Sequence, residues 1–145
     1  FNQGPFLPPK VFSEFVTPYL QRLVRAYRDQ GAWVIKHTDG NIMPIIEDLV
    51  SAEPHALHSL DPMAGVDIAE VKRRYGDRLC LIGNVDCSLL QTGTPEEMAH
   101  SARYAIAHGK PGGGYIFGTS NCVFAGMPPE SYHLIHEIWR AGRDY

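Results

Sequence analysis

The chain has few cysteines and no long apolar run. Three cysteines among 145 residues do not make a disulfide framework, so we expect a reducing, cytoplasmic setting. No stretch has the length of a membrane span, and no charged start followed by an apolar stretch suggests a signal peptide. The 13 Lys and Arg residues form no basic cluster and are outnumbered by 16 Asp and Glu, which argues against nucleic acid or a membrane surface as a partner.

Several common catalytic and metal-binding motifs are also absent. The chain has no Cys-x-x-Cys pair, no His-Glu-x-x-His helix and no Ser-x-Gly elbow. Its glycine run at 112–114 precedes a predicted strand, whereas a phosphate-binding loop follows one, so this run indicates a turn. None of these motifs therefore indicates a function for this chain.

What the chain does contain is a regular alternation of apolar strands and amphipathic helices. Four strands are predicted at 32–37, 56–60, 79–83 and 114–117. One helix, with an apolar stripe from Phe15 to Tyr27 and Ser13 or Thr17 as its N-cap, precedes the first strand, and a further helix follows each strand. This order is typical of a parallel α/β sheet, and no linker divides residues 1–145, so we expect a single domain.

Each predicted strand is followed by polar side chains. They are His37, Thr38 and Asp39 after the first strand, Ser59 and Asp61 after the second, Asn84, Asp86 and Cys87 after the third, and Thr119, Ser120, Asn121 and Cys122 after the fourth. In parallel α/β proteins the carboxyl ends of the strands form the rim where ligands bind. The residue types leave two kinds of chemistry open: acid–base work by the aspartates with His37, or a metal held by His37, Cys122 and Asp39.

Structural roles compete with these functional ones. Asp39-Gly40-Asn41 is a ready turn and helix cap, and Asp61, Asn84 and Asp86 are also suited to capping. Cys80 lies within a strand and is expected to be a buried small hydrophobe. The other histidines, including the one at position 58, show no ligand spacing and are expected at the surface or in satisfied positions.

Four segments carry a family resemblance. They are Gly4–Phe12 with Pro18-Tyr19-Leu20, His37–Asn41, the Gly-Asn-x-Asp turn at Gly83–Asp86, and Gly113–Cys122 followed by Pro128-Pro129-Glu130. In this order and spacing they resemble the uroporphyrinogen decarboxylase family, from the loop before its fifth strand to the start of its last helix. The resemblance implies the C-terminal half, with four strand–helix units, of a (β/α)₈ TIM barrel. It also implies a fragment that needs an N-terminal half-barrel as its partner and that tends to self-associate or form a homo-oligomer.

Decarboxylases of this family remove acetate carboxyl groups from a tetrapyrrole without a cofactor, as in porphyrin biosynthesis. By resemblance we expect an enzyme of this carboxy-lyase type, inactive as the fragment alone. The catalytic residues would be His37, Asp39 and Asp86. The substrate-binding residues would be Asn2, Gln3, Asp61, Asn84, Ser120 and Asn121. One departure is that Ser120-Asn121-Cys122 stands where these decarboxylases have Gly-His-Gly.

Two alternatives remain open at this point. A second branch of the family transfers methyl groups from corrinoid proteins and binds zinc through a His-x-Cys pair at the fifth strand and a cysteine after the last. By resemblance, His37, Asp39 and Cys122 would be the zinc ligands, with Asp39 in place of the middle cysteine and a corrinoid protein as partner. The other alternative is a non-catalytic binding barrel.

Overall fold

A four-stranded parallel sheet organises the chain. The computed structural model describes residues 1–144, and its strands are β1 Ile35–His37, β2 Ala56–Ser59, β3 Cys80–Val85 and β4 Tyr115–Thr119. All neighbouring strands run parallel, and the order across the sheet is the order along the chain. The predicted α/β class, with four consecutive strand–helix units of a (β/α)₈ barrel, is confirmed. The first strand begins later than expected, at Ile35 instead of position 32.

Helices precede and follow these strands. They are α1 Pro9–Phe15, α2 Thr17–Asp29, α3 Ile46–Ser51, α4 Ile68–Tyr75, α5 Cys87–Thr92, α6 Pro95–Gly109 and α7 Pro129–Gly142, with short 3₁₀ turns at Met43–Ile45 and Pro62–Ala64. Local sequence signals place several of their starts. Thr94 and Glu97 form a complete capping box at α6, and the Asp67 carboxylate accepts a hydrogen bond from Ala69 N–H at α4. No helix within residues 1–144 has the length and hydrophobicity to cross a bilayer.

The expectations for the first helical region need correction. A separate helix, α1, forms where a loop was expected, with Pro9 at a first-turn position that proline tolerates. Neither Ser13 nor Thr17 caps α2, because Thr17 is already helical and its hydroxyl donates to Asp48 Oδ1 at 2.9 Å. The expected apolar stripe is also mostly uncovered, with Val24 buried but Tyr19 65% exposed.

The two faces of the sheet differ in how well they are covered. Leu57 and Leu81 are fully buried among side chains from the α3 and α4 regions, and Val85 packs in a second cluster with residues of α5, α6 and α7. On the other face, Ile35 is 57% exposed and Ile116 is 51% exposed. Helices thus cover one face, and the other corresponds to the interior of a closed barrel. We call it the open face.

Candidate functional site

Two histidines on the open face form the centre of the candidate site. The parallel register pairs His37 with His58, so these side chains emerge side by side from β1 and β2. Their Nδ1 atoms are 2.7 Å apart and their ring centroids 4.8 Å apart. His37 Nε2 lies 3.3 Å from Asp39 Oδ1, and His58 Nε2 lies 3.3 Å from the Thr119 carbonyl oxygen. We call this chain of contacts, from Asp39 through His37 and His58 to Thr119, the rim relay.

The rim relay has a defined proton requirement. His58 Nε2 is placed to donate to the Thr119 carbonyl, so a neutral His58 accepts at Nδ1 and the proton between the two Nδ1 atoms comes from His37. Two neutral imidazole rings supply both of these protons, and His37 Nε2 lies beside the Asp39 carboxylate, with which it forms an ion pair only when the ring is protonated. Burial lowers the pKa of His58, with the positive charge of His37 acting in the same direction.

The loop after β4 reaches back across the rim to complete this cluster. Asn121 Nδ2 donates to Asp39 Oδ1 at 3.1 Å. The same residue is held by its neighbours, because its carbonyl accepts from Thr119 Oγ1 at 2.5 Å and its Oδ1 accepts from Cys122 N–H at 2.7 Å. Asn121 thus orients the carboxylate of the rim relay, and the expectation that it belongs to the rim agrees with its position.

The three-ligand zinc site expected from the sequence is not formed. His37 and Asp39 do come together, but the remaining His37 nitrogen faces His58, and exposed Cys122 does not join them. Within residues 1–144, no group of three His, Cys, Asp or Glu side chains is placed to hold a metal ion. The side chains in this arrangement do not fit a tetrahedral zinc site.

Two of the predicted site aspartates serve as helix caps. Asp86 Oδ1 accepts from Ser88 N–H at 2.8 Å and from Ser88 Oγ at 2.7 Å, which starts α5. Asp61 Oδ1 accepts from Met63 N–H at 3.1 Å. Burial raises the pKa of Asp61, and the nearby carboxylates of Asp86 and Asp39 raise it further. The capping alternative is confirmed for both residues, and their catalytic or substrate-binding roles stay predictions.

Asn84 has a structural role that the sequence did not predict. Its side chain is buried, and Nδ2 donates to the carbonyl oxygens of Leu60 and Val66, the latter at 3.1 Å. Both N–H groups of the amide therefore hold the loop that follows β2. These N–H groups are not available to a ligand, and the substrate-binding role expected for Asn84 stays a prediction.

The remaining predicted binding residues lie near the rim without forming one site. Ser120 is buried, and its Oγ accepts from Cys87 N–H at 3.3 Å. Asn2 and Gln3 are exposed in a turn, and the preceding Phe1 carbonyl accepts from Asn41 N–H at 3.0 Å. The first residues thus lie against the turn that follows Asp39. No contact of the Asn2 or Gln3 side chain assigns a role to either, and both stay predictions.

Sequence reasoning missed His58. It was expected to be a surface or satisfied residue because histidine spacing along the chain shows no ligand pattern. The relevant signal is the strand register, which pairs His37 with His58 although 21 positions separate them. Aligning the predicted strands by their polar carboxyl ends would have placed the two histidines on one face.

Comparison with known proteins agrees with this fold. The family model described as Uroporphyrinogen decarboxylase (URO-D) matches residues 3–141. The chain belongs to the uroporphyrinogen decarboxylase family. Among curated relatives, "Uroporphyrinogen decarboxylase" of Thioalkalivibrio sulfidiphilus is 29% identical over 150 residues, and that of Psychromonas ingrahamii is 30% identical over 143 residues. That of Pseudoalteromonas translucida is 27% identical over 149 residues.

These matches cover nearly all of this chain but a minority of each relative. The alignment with the Thioalkalivibrio protein takes in 96% of this chain and 40% of the relative, and the Psychromonas alignment takes in 93% and 39%. The chain thus spans about two fifths of the length of the relatives that it matches. This share agrees with four strand–helix units out of the eight in a (β/α)₈ barrel.

Proposed function

We propose that this chain supplies the proton-donating rim of a uroporphyrinogen decarboxylase-like carboxy-lyase, which removes acetate carboxyl groups from a tetrapyrrole. The rim relay is the observation that carries the proposal. It places two contacting imidazole rings at the carboxyl end of the sheet, next to a carboxylate. Three supporting facts are the family membership, the position of the rim in barrel enzymes, and the exposure of this face of the sheet.

The proposed reaction needs an acid and a nearby negative charge. A proton from the rim relay adds to a ring carbon of the pyrrole, which makes the ring cationic. The bond between the acetate methylene and its carboxylate then breaks, CO₂ leaves, and the electron pair of that bond neutralises the ring. Proton return to the methylene and loss of the ring proton complete the conversion of the acetate to a methyl group, with one proton consumed overall. General acids of this kind contribute about 10²–10⁴-fold to a rate.

The residues of the rim relay have distinct roles in this scheme. The contacting pair of His37 and His58 is the general acid, with each ring holding the other in place. Asp39 stabilises both the imidazolium and the cationic ring by its negative charge, and Asn121 fixes the direction of that carboxylate. The apolar side chains of Ile82 and Ile116, which continue the His37–His58 row across the sheet, suit contact with a large ring.

The rest of the enzyme must come from outside this chain. Strands β1 and β4 are the edges of the sheet, and the open face leaves apolar side chains in water. We propose that a second half-barrel covers this face and supplies the groups that hold the carboxylates of the substrate. The substrate would then bind between the two halves, above the rim relay.

The test is an assay of the protein at its natural length with uroporphyrinogen as substrate. The proposal predicts release of CO₂ at a rate that falls at least about 10²-fold in His37→Gln, because the acid is removed. Transfer of a methyl group from a methylated corrinoid protein to a thiol, together with one zinc per chain and no CO₂ release, would contradict it. The purified protein should therefore also be analysed for its metal content.

A further inference from the structure

Cys87 and Cys122 meet at the rim although 35 positions separate them. Cys87 is the first residue of α5 and is buried, whereas Cys122 lies in the loop after β4 and is exposed. The Cys87 thiol donates to the Cys122 carbonyl oxygen at 3.3 Å. The neighbouring contact from Cys87 N–H to Ser120 Oγ, at 3.3 Å, ties the same two segments together a second time. The third cysteine, Cys80, lies at the start of β3.

The distance between the two cysteines suits a covalent link. A carbonyl oxygen lies about 2.4 Å from the Cα of its own residue, as standard bond lengths require. With the observed 3.3 Å contact, Cys87 Sγ is therefore within about 5.7 Å of Cys122 Cα. A cysteine sulfur lies about 2.8 Å from its own Cα and the sulfurs of a disulfide are about 2.05 Å apart, so in the bonded pair Cys87 Sγ must lie within about 4.9 Å of Cys122 Cα. Rotation of the exposed Cys122 side chain and a loop shift of about 1 Å reach that distance. The loop from 120 to 127 contains no helix or strand that would resist such a shift.

We propose that Cys87 and Cys122 are a thiol–disulfide modification site, in which the pair forms an intramolecular disulfide by exchange with a small-molecule disulfide. Exposed Cys122 reacts first: its sulfur attacks oxidised glutathione, the S–S bond of the reagent breaks, and one glutathione leaves as a thiol. Cys87 sulfur then attacks the Cys122 sulfur of the mixed disulfide, and the second glutathione leaves. Two electrons and two protons pass from the two protein thiols to the two glutathione molecules.

Formation of this bond would act directly on the candidate site. Cys122 N–H donates to the Asn121 side chain, and Asn121 in turn donates to Asp39 of the rim relay. A covalent link from the Cys122 loop to the first turn of α5 therefore restricts the segment that orients Asp39. This proposal does not need the rim relay to be catalytic, because it rests on the two thiols alone.

The test uses the protein at its natural length under native conditions. After incubation with oxidised glutathione and alkylation of free thiols, the peptides containing Cys87 and Cys122 should be joined, and the joined peptide should be about 2 Da lighter than the sum of the two reduced, unalkylated peptides. Dithiothreitol should reverse the link, and Cys80→Ser should form it as the wild type does. Cys87→Ser should stop at one glutathione on Cys122, and Cys122→Ser should form no link.

Other outcomes would overturn the proposal. Persistent glutathione on Cys122 of the wild type without a link to Cys87 would show that the two sulfurs do not meet in the folded protein. A link that involves Cys80, or one that joins two copies of the chain on a non-reducing gel, would also contradict it. Because the wild-type result decides by itself, the proposal stays testable if a serine variant does not fold. The two proposals fail separately. A protein that forms the link between Cys87 and Cys122 but releases no CO₂ contradicts only the proposed function. A protein that releases CO₂ but forms no link contradicts only the disulfide proposal.

Discussion

Replacing Asn84 with alanine should destabilise the protein strongly, because this amide satisfies two buried carbonyl groups. The Asn84 side chain is 4% exposed, and the residues whose carbonyls accept from it, Leu60 and Val66, are 0% and 1% exposed. A buried polar group left without a partner costs about 1–3 kcal/mol. Loss of both bonds should therefore lower the free energy of unfolding by about 2–6 kcal/mol.

The matched control is Asn121→Ala. This amide also donates a side-chain hydrogen bond, but Asn121 is exposed, and substitutions at such positions change stability by about 0.5 kcal/mol or less. The variants are compared by urea unfolding of the protein at its natural length, from the midpoint and the slope of each transition. If Asn84→Ala does not fold, Asn84→Asp, which keeps the size of the side chain but has no N–H donor when ionised, should be the next variant measured.

The reasoning about Asn84 would be refuted by a small effect. If Asn84→Ala and Asn121→Ala both shift the free energy of unfolding by less than about 1 kcal/mol, the buried amide does not hold the loop after β2. If Asn84→Ala instead keeps its stability and loses CO₂ release, the substrate-binding role expected from the sequence is correct.

Three further predictions concern the sheet, the pH response and the assembly. At Gly83 φ is +119° and a Cβ would overlap the Ser59 carbonyl, so Gly83→Ala should lower the free energy of unfolding by about 2 kcal/mol or more. A Cβ at Gly118 would meet nothing within 4 Å, so Gly118→Ala should be tolerated. Equal effects of the two substitutions would contradict this prediction. Burial lowers the pKa of His58, so the unfolded state takes up a proton at a higher pH than the folded state does, and the free energy of unfolding should fall as the pH drops below 6.5. A His58→Gln variant whose free energy of unfolding depends on pH as steeply as that of the wild type would contradict this prediction. Size-exclusion chromatography of residues 1–145 alone should show self-association, and a stable monomer at micromolar concentration would argue against an uncovered open face.

The sequence predicted the architecture well because local signals agree with one another. Apolar strands followed by capped helices can form only a few arrangements, and the capping box at Thr94 and the cap at Asp67 start α6 and α4 where the sequence has these capping residues. The errors lie where tertiary context decides. The apolar stripe of α2 reads as a core face, but no element within residues 1–144 covers Tyr19, so most of the stripe stays exposed.

The candidate site was only partly predictable for a similar reason. Residue types and positions after strands identified His37, Asp39 and Asn121 as rim residues, and the structure brings these three together. His58 was missed because its role depends on the register between two strands, which one-dimensional spacing does not reveal. A polar residue after a strand can be either a helix cap or a catalytic residue, so the sequence left both roles open for Asp86. Its hydrogen bond from Ser88 N–H shows that it is a cap.

The most direct test of the central claim is the rate of CO₂ release from uroporphyrinogen by the natural-length protein, compared between His58→Gln and His133→Gln. His58 belongs to the rim relay, whereas His133 is exposed on α7 and serves as the matched control. The account predicts that His58→Gln lowers kcat by at least about 10²-fold and changes its pH dependence, while His133→Gln leaves both unchanged. A His58→Gln protein that folds normally and releases CO₂ at the wild-type rate, with the wild-type pH profile, would contradict the account.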